Sequence, residues 1–287
     1  MTKLGEAICI RLNSLFGKVP AYAEDGEEYS NAEYREVSKQ FDKSYSEYGL
    51  ELQDKVVLDA GCGAGGKTVF YAKLGCQHVY GSDREPYLIE KAKECAAEHG
   101  VENDITFQVE SLDDLTFESN MFDVVFLTGV LEHIVRPKLV PALAELKRVM
   151  KPGGRLFLNF PPWSSPYAAH LYKVIFIPWC QYMFSDQTLI NVADRLGAPQ
   201  ERGVSTSYTE HFMELNRCTI SEFKTITRDL DFEMVKLKLI PVRQKESLTK
   251  LPLVGPLFVS GVRAALSKKQ PCPAKYGDKV LVPDERQ

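Results

Sequence analysis

Between residues 55 and 162 the chain alternates short apolar runs with longer amphipathic ones, and this alternation limits the possible fold more than any other feature. Short apolar runs bounded by glycine or charged residues are typical of strands that are buried on both faces. The runs between them repeat apolar residues at helical spacing. Strands that alternate with helices in this way form a parallel sheet covered on both faces, so the sequence predicts a doubly wound, mostly parallel α/β fold. Seven strands are predicted, at residues 55–61, 78–83, 104–110, 122–129, 154–162, 231–242 and 257–269.

The alternation stops after the fifth strand, where residues 163–218 form an aromatic-rich insert that favours helix. Open α/β sheets bind ligands outside the carboxyl ends of their strands, and insertions at that edge commonly cover the substrate. We therefore expect a helical cap whose aromatic side chains contact an apolar or ring face of a substrate. The predicted substrate contacts are Trp163, Tyr167, Trp179, Asn216 and Arg217.

The rest of the chain divides around this core and cap. Residues 1–54 are predicted to be a helical segment that covers the cofactor site, in which Ser30 and Glu33 form a capping box that predicts the start of a helix. Residues 55–162 form the core of the sheet, residues 219–269 its C-terminal part, and residues 270–287 a tail.

Charge, cysteine spacing and the length of the apolar runs indicate which partners and which compartment to expect. The formal net charge is −4, so the overall charge gives no reason to expect nucleic acid as a partner, and none is predicted. The seven cysteines include no Cys-x-x-Cys pair, which favours free thiols in a reducing, cytoplasmic compartment. No apolar run approaches the roughly 20 residues of a membrane span. Residues 171–184 and 251–262 leave peripheral membrane contact open, although burial in the core is the expected use.

The stretch LDAGCGAGGKT, residues 58–68, matches two phosphate-binding patterns. Its glycines with Lys67 fit the GxxxxGK[ST] of a P-loop, and the glycines alone fit the GxGxxG of a dinucleotide site. Asp59 argues against the P-loop, because it would place a negative charge beside phosphates. No magnesium-binding strand follows either, since VVFLTG ends without an acid and VYGSD comes immediately after the loop helix. An NAD-dependent oxidoreductase stays an alternative, since Asp83 stands where a ribose-binding acid is expected, but no residues for hydride chemistry follow.

Four segments, in order, resemble the motifs of class I S-adenosylmethionine (SAM)-dependent methyltransferases. VVLDAGCGAGG (56–66) resembles their first motif and VYGSD (79–83) their second. Residues 111–134 are similar to their adenine loop and fourth strand, and LKRVMKPGGRLFL (146–158) to their fifth strand with its preceding turn. The resemblance implies a Rossmann-like sheet, SAM as cofactor with S-adenosylhomocysteine as product, and methyltransferase activity; a non-catalytic SAM-binding protein is the alternative.

The same resemblance implies which residues contact SAM. They are Asp59, Gly61, Cys62, Gly63, Asp83, Arg84, Ser111, Leu112 and Thr128. Asp83 would hold the ribose hydroxyls, and Asp59 suits a ligand that is positively charged and carries no phosphate. Ser111 stands where many relatives have an aspartate, so the adenine amino group is expected to be held differently here.

Methyl transfer to a weakly acidic hydroxyl requires alignment and removal of a proton, for which histidine is suited near neutral pH. His133, after the fourth strand, is the first candidate for a base or positioning group, and His170 and His211 are further candidates, with packing as the alternative role. Some relatives bind a divalent metal through a Glu-x-x-Glu-His cluster here, but Gly129 replaces the first glutamate, so no metal is predicted. The expected acceptor is a small-molecule hydroxyl of a sugar or natural product, with nitrogen and carbon acceptors left open.

Overall fold

The computed structural model describes residues 2–17, 26–44, 46–198 and 207–270, so residues 271–287 of the predicted tail lie outside the described residues. Seven strands form one sheet in the order β3-β2-β1-β4-β5-β7-β6. Strands β1 to β5 run parallel, and β7 pairs antiparallel with both β5 and β6. The strands are β1 (Val56–Ala60), β2 (His78–Asp83), β3 (Ile105–Val109), β4 (Phe122–Thr128), β5 (Met150–Phe160), β6 (Phe232–Pro241) and β7 (Val259–Lys268). The predicted doubly wound, seven-stranded fold is confirmed.

Helices cover both faces of this sheet because its central strands are apolar on both sides. In β4, Val124 and Phe126 point into one core, and Val125 and Leu127 into the other. Helices α2, α3 and α4 pack on the first face, and α5 and α9 on the second. The helices are α1 (Thr2–Asn13), α2 (Gly26–Ser44), α3 (Gly66–Ala72), α4 (Pro86–Glu98), α5 (Leu139–Val149), α6 (Cys180–Met183), α7 (Asp186–Arg195), α8 (Tyr208–Glu214), α9 (Ile220–Asp229) and α10 (Glu246–Thr249).

Residues 163–218 contain α6, α7 and α8 and build a third apolar core outside the sheet. Leu171, Leu189 and Phe212 are buried in this core together with Cys9 of α1. Glu6 of α1 is also bonded to α7, where Asn191 donates to its carboxylate at 2.8 Å and Arg195 at 3.0 Å. Helix α1 therefore packs with the insert, whereas α2 packs against α3 beside the glycine turn.

The sheet order fixes where a ligand site is expected. Strand β1 pairs with β2 on one side and with β4 on the other, so the direction of winding reverses between β1 and β4. Loops that leave the two strands at such a reversal separate and open a crevice at their carboxyl ends. The segments after β1, β2 and β4 border this crevice.

The described residues bear on the expectations of no membrane span and of free cysteine thiols. Within the described ranges, no helix is both long and apolar enough to cross a membrane. The six cysteines in those ranges are free thiols.

Candidate active site

The turn after β1 is shaped by glycines in the left-handed region of backbone conformation. Gly61 has φ 75° and Gly63 has φ 54°, which side-chain-bearing residues rarely adopt. A Cβ on Gly61 would lie 2.5 Å from a methyl carbon of Val130, which belongs to the loop after β4. The close approach of that loop therefore requires glycine at position 61. A Cβ on Gly63 would meet nothing within 4 Å. The turn therefore leaves open space beside Gly63, where a ligand can approach the backbone.

Asp83, at the end of β2, anchors this turn. One carboxylate oxygen accepts a hydrogen bond from the N–H of Gly63 at 3.0 Å, and the other accepts from the N–H of Glu85 at 3.0 Å. Burial raises the pKa of this carboxyl, and the two backbone donors oppose that rise. Each oxygen keeps a lone pair for a further donor, such as a ribose hydroxyl.

Asp59 is buried beneath the same turn. Its carboxylate accepts a hydrogen bond from the Thr68 hydroxyl at 2.7 Å, and burial raises the pKa of the carboxyl to about 6. Lys67 is engaged by protein groups, because its Nζ lies 2.8 Å from a carboxylate oxygen of Glu33 and 3.4 Å from the carbonyl oxygen of Thr128. The lysine that fits a P-loop pattern is therefore held by Glu33 and the end of β4.

Buried acidic groups outnumber buried basic groups in this region. Asp59, Asp83 and Glu132 are all largely buried, and Lys67 already pairs with Glu33. Burial raises the pKa of Glu132 to about 8. One of its carboxylate oxygens has no hydrogen-bond partner among the described residues. Because a pKa of about 8 keeps Glu132 mostly protonated at neutral pH, Asp59 and Asp83 are the groups that favour a positively charged ligand and disfavour a polyphosphate.

The other residues predicted to contact the cofactor differ in burial and in their hydrogen-bond and ion-pair partners. The Ser111 hydroxyl donates a hydrogen bond to Asp113. Leu112 packs against the core on the face of the sheet that α5 and α9 cover. Cys62 is buried, which raises the pKa of its thiol. Arg84 follows Asp83 and pairs with Glu214 of α8 at 3.5 Å, so it connects the end of β2 with the insert. Their contact with a cofactor stays a prediction.

The three candidate histidines come together beside this crevice. His133 ends a 3₁₀ turn, Leu131–His133, directly after β4; His170 lies in the irregular part of the insert and His211 on α8. The ring centroid of His133 is 4.9 Å from that of His170 and 4.6 Å from that of His211. One ring nitrogen of each residue lies within 4.8 Å of the other two. Burial lowers the pKa of His133, and the neighbouring histidines and Arg84 lower it further.

Two hydrogen-bonding side chains hold these histidines in place. The Tyr208 hydroxyl donates to the carbonyl oxygen of His170 at 2.6 Å and accepts from the N–H of Lys173 at 3.1 Å, which ties the His170 turn to α8. The Asn216 amide donates to the carbonyl oxygens of Leu131 at 2.6 Å and Ile134 at 3.0 Å, on either side of His133. His170 itself has φ 55°, a left-handed conformation that is uncommon for residues other than glycine, although histidine adopts it more often than most.

Of the predicted substrate contacts, two have side chains that are hydrogen-bonded to the protein backbone. Asn216 is 1% exposed, and both amide hydrogens are used by backbone carbonyls. The Trp179 indole N–H is directed to the carbonyl oxygens of Ser164 and Leu257, at 3.1 and 3.2 Å. The contact of Asn216 and Trp179 with a substrate stays a prediction.

The other three predicted contacts leave part of their surface available. The Arg217 guanidinium lies 4.9 Å from the Trp163 ring centroid and pairs with Asp186 at 2.7 Å. Tyr167 is 37% exposed. Their contact with a substrate stays a prediction.

Sequence reasoning missed Tyr208, Val130 and the burial of Glu132. Each role depends on a contact between distant segments, so no local pattern identifies Tyr208 or Val130. The adjacency of Glu132 to His133 in the sequence was the available signal, since titratable groups with perturbed pKa values cluster at functional sites.

Comparison with known proteins finds methyltransferases among the similar proteins. Residues 58–158 match the family model described as a methyltransferase domain. The chain is 28% identical over 214 residues to a sterol 24-C-methyltransferase from Gibberella zeae, covering 74% of this chain and 49% of that protein. It is 40% identical over 112 residues to a ubiquinone biosynthesis O-methyltransferase from Xanthomonas euvesicatoria, covering 38% of this chain and 44% of that protein. This chain thus spans about half the length of the curated relatives it matches.

Solved structures share the fold. A SAM-dependent methyltransferase from Methanosarcina mazei superposes with a TM-score of 0.55 at 20% sequence identity, over 79% of this chain and 97% of that one. At this level of identity the likeness establishes the architecture of the chain.

Proposed function

The chain contains a class I SAM-dependent methyltransferase domain, and we propose that it transfers the methyl group of SAM to a hydroxyl oxygen of a small molecule. The observation that carries this proposal is the cluster of three histidines, of which His133 directly follows β4, at the carboxyl edge of the sheet near which Asp59 lies in β1 and Asp83 ends β2. A cationic cofactor bound in the crevice at this edge would lie near proton-accepting side chains.

The residues present fit SAM better than a nucleotide phosphate. The cofactor combines a sulfonium and an amine with a ribose diol, and it would lie in a crevice that holds an excess of carboxylates. Asp83 would accept the ribose hydroxyls, and the open space at Gly63 would admit the methionine part close to the backbone. Asp59 and Thr128 would border the methionine amine and carboxylate. When bound, SAM supplies an activated methyl group.

The protein's own contribution to such a reaction is alignment and proton removal. Displacement at a methyl carbon requires the acceptor oxygen in line with the bond that breaks, and a positioned acceptor gains most of its rate from that alignment. Loss of the hydroxyl proton makes the oxygen a better nucleophile. His133, His170 and His211 would promote that loss, and the chain neighbours of the last two, Leu171 and Phe212, are buried in the third core.

The acceptor is proposed to present a ring or an apolar face. Trp163 and Tyr167 offer ring surface at the start of the insert, and the Arg217 guanidinium stacked on Trp163 adds a hydrogen-bond donor. The relatives include a carbon-methylating and an oxygen-methylating enzyme by name, so the comparisons are compatible with either acceptor. The histidine cluster favours oxygen, because a hydroxyl must lose its proton whereas a neutral amine is already nucleophilic.

A transfer assay with radiolabelled SAM tests the proposal. Purified chain is incubated with a panel of phenols, glycosides with an apolar aglycone and matched amines, and labelled product is identified by mass spectrometry. We expect transfer to a hydroxyl compound and a loss of roughly 100-fold or more in rate for His133→Ala. His78→Ala is the matched control, since His78 lies at the opposite end of β2 and bonds to Thr106 at 2.8 Å.

Cofactor binding without transfer to any member of a broad panel would contradict the catalytic proposal and favour a non-catalytic SAM-binding protein. Transfer to the amines alone would contradict the assignment of oxygen as acceptor. Equal rates for His133→Ala and His78→Ala would remove His133 from the mechanism.

A further inference from the structure

Three imidazoles gathered from distant segments form a set of ligands as well as a set of bases. We propose that His133, His170 and His211 bind one divalent transition-metal ion of the zinc class, with a coordination position left open for the acceptor oxygen. No metal was predicted from the sequence, because the only metal-binding pattern found there was the incomplete Glu-x-x-Glu-His cluster that ends at His133. The two histidines of the insert supply the ligands that this cluster lacks.

The spacing of the nitrogens suits a metal ion. One ring nitrogen from each histidine lies within 4.8 Å of the others. Zinc binds imidazole nitrogen at about 2.0–2.1 Å, so the ligand nitrogens of a tetrahedral site are about 3.4 Å apart. Side-chain rotations that move each ring by about 1 Å would bring the nitrogens from the present spacing to that of a zinc site. Three histidines with a free fourth position are a known arrangement for catalytic zinc.

The type of donor narrows the choice of ion. Imidazole nitrogen suits zinc, copper, nickel, cobalt and iron, whereas magnesium and calcium prefer oxygen ligands. The carboxyl group of Glu132 lies beside the cluster, with one oxygen 3.7 Å from Nε2 of His133. A carboxylate next to a ligand imidazole commonly orients the ring and strengthens the donor. The donor set therefore favours zinc over the oxygen-seeking ions.

A second observation, independent of the spacing, points to a missing partner at His133. Its Nδ1 atom is buried, and no described residue forms a hydrogen bond with it. A buried polar atom without a partner destabilises a folded chain by roughly 1–3 kcal/mol. A bound ion satisfies this nitrogen and leaves Nε2 beside Glu132.

The surrounding hydrogen bonds hold the ligands as a site requires. Tyr208 fixes the backbone of His170 to the helix that carries His211, and Asn216 fixes the residues on either side of His133 to the end of that helix. Through these two side chains the three ligand segments are tied to one another. Tyr208 and Asn216 are positioning residues, since neither is within the ligand set.

The ion would also assist the proposed reaction, and this catalytic role rests on the proposed function. A hydroxyl bound at the open position has its pKa lowered by the positive charge, so its proton passes to water and an alkoxide remains on the ion. The alkoxide oxygen forms a bond to the methyl carbon of SAM as the carbon–sulfur bond breaks. The products are the methyl ether and S-adenosylhomocysteine, and no oxidant or reductant is required.

Metal binding is tested with the ions alone. The full chain is freed of metal by a chelator and titrated with Zn²⁺ by calorimetry, and with Co²⁺ by visible absorption, which reports tetrahedral coordination by nitrogen. We expect one ion per chain. His170→Ala and His211→Ala should each weaken binding by roughly 100-fold or more, and Tyr208→Phe by roughly 10- to 100-fold. His78→Ala is the control and should bind as the native chain does. Thermal unfolding of each variant, together with the milder His211→Gln, separates loss of a ligand from loss of the fold.

The outcomes distinguish the site from the proposed reaction. Absence of stoichiometric binding, or equal affinity in folded His211→Ala and His78→Ala, would overturn the site. Binding by the native chain without methyl transfer would overturn the proposed function and leave the site intact. Unchanged transfer by chelator-treated chain would overturn the role of the ion in catalysis.

Discussion

Replacement of Asp59 by asparagine is expected to stabilise the chain in the absence of cofactor. Asp59 is 1% exposed, and burial raises the pKa of its carboxyl from 3.8 to about 6 against the opposing effects of Lys67 and Thr68. One pKa unit corresponds to about 1.4 kcal/mol, so the ionised carboxylate lowers the free energy of unfolding by up to about 3 kcal/mol at neutral pH. Asparagine removes the charge, and its amide oxygen can still accept the hydrogen bond from Thr68.

The gain from Asp59→Asn depends on pH in a defined direction. Below about pH 4 the carboxyl is protonated in both the folded and the unfolded chain, so the substitution changes little. Between about pH 4 and pH 6 the folded chain binds the proton more tightly than the unfolded chain, so the native chain loses stability as the pH rises. Above about pH 6 the loss is complete, and the advantage of the variant levels off.

Urea unfolding of ligand-free protein over this pH range measures the effect. Asp123→Asn is a control of opposite sign, because Lys151 at 2.7 Å and the N–H of Val56 at 3.0 Å lower the pKa of Asp123 despite the burial that acts to raise it. That variant should lose stability at neutral pH, and its deficit should shrink as the pH falls. A change in the free energy of unfolding for Asp59→Asn that is the same at acidic and neutral pH would refute the reasoning. The stabilised variant should bind SAM more weakly, as expected if this charge is retained for the cofactor.

Three further predictions concern single side chains. Asp83→Ala should weaken SAM binding roughly tenfold or more in calorimetry, since it removes a charged acceptor from the crevice; unchanged affinity would remove Asp83 from the site. Gly61→Ala and Gly197→Ala both place a side chain at positive φ, which destabilises by roughly 1–2 kcal/mol, but only Gly61→Ala also collides with Val130, so its melting temperature should fall further. Equal losses would show that the clash is relieved. Asn216→Ala should lower the free energy of unfolding by about 2–3 kcal/mol in urea titration, because it leaves buried carbonyls without donors; a neutral result would contradict the positioning role.

The sheet was predictable because its signals are local. Strand β2 was predicted at 78–83 and is found at His78–Asp83, since an apolar run between helical segments is sufficient evidence. The start of α2 was wrong: the capping box at Ser30 predicted the first turn, but the helix begins at Gly26. A Cβ on Gly66 would collide with the carbonyl oxygen of Ser30, so α2 and α3 pack closely here, a tertiary contact that a local capping pattern does not register.

The candidate site was predictable in its parts and not in its assembly. Each of the three histidines was identified from its position in the chain, but the insert has no periodic pattern that would bring His170 and His211 to His133. Their meeting depends on hydrogen bonds from Tyr208 and Asn216 to the backbone of other segments. Such bonds depend on folded geometry and leave no trace in spacing or composition.

Calorimetric titration of the purified chain with SAM, S-adenosylhomocysteine, NAD and ATP tests the central claim most directly. The excess of buried carboxylates around Asp59 and Asp83 predicts that SAM and S-adenosylhomocysteine bind one per chain and that NAD and ATP do not bind. Binding of NAD or ATP without binding of SAM would contradict the account.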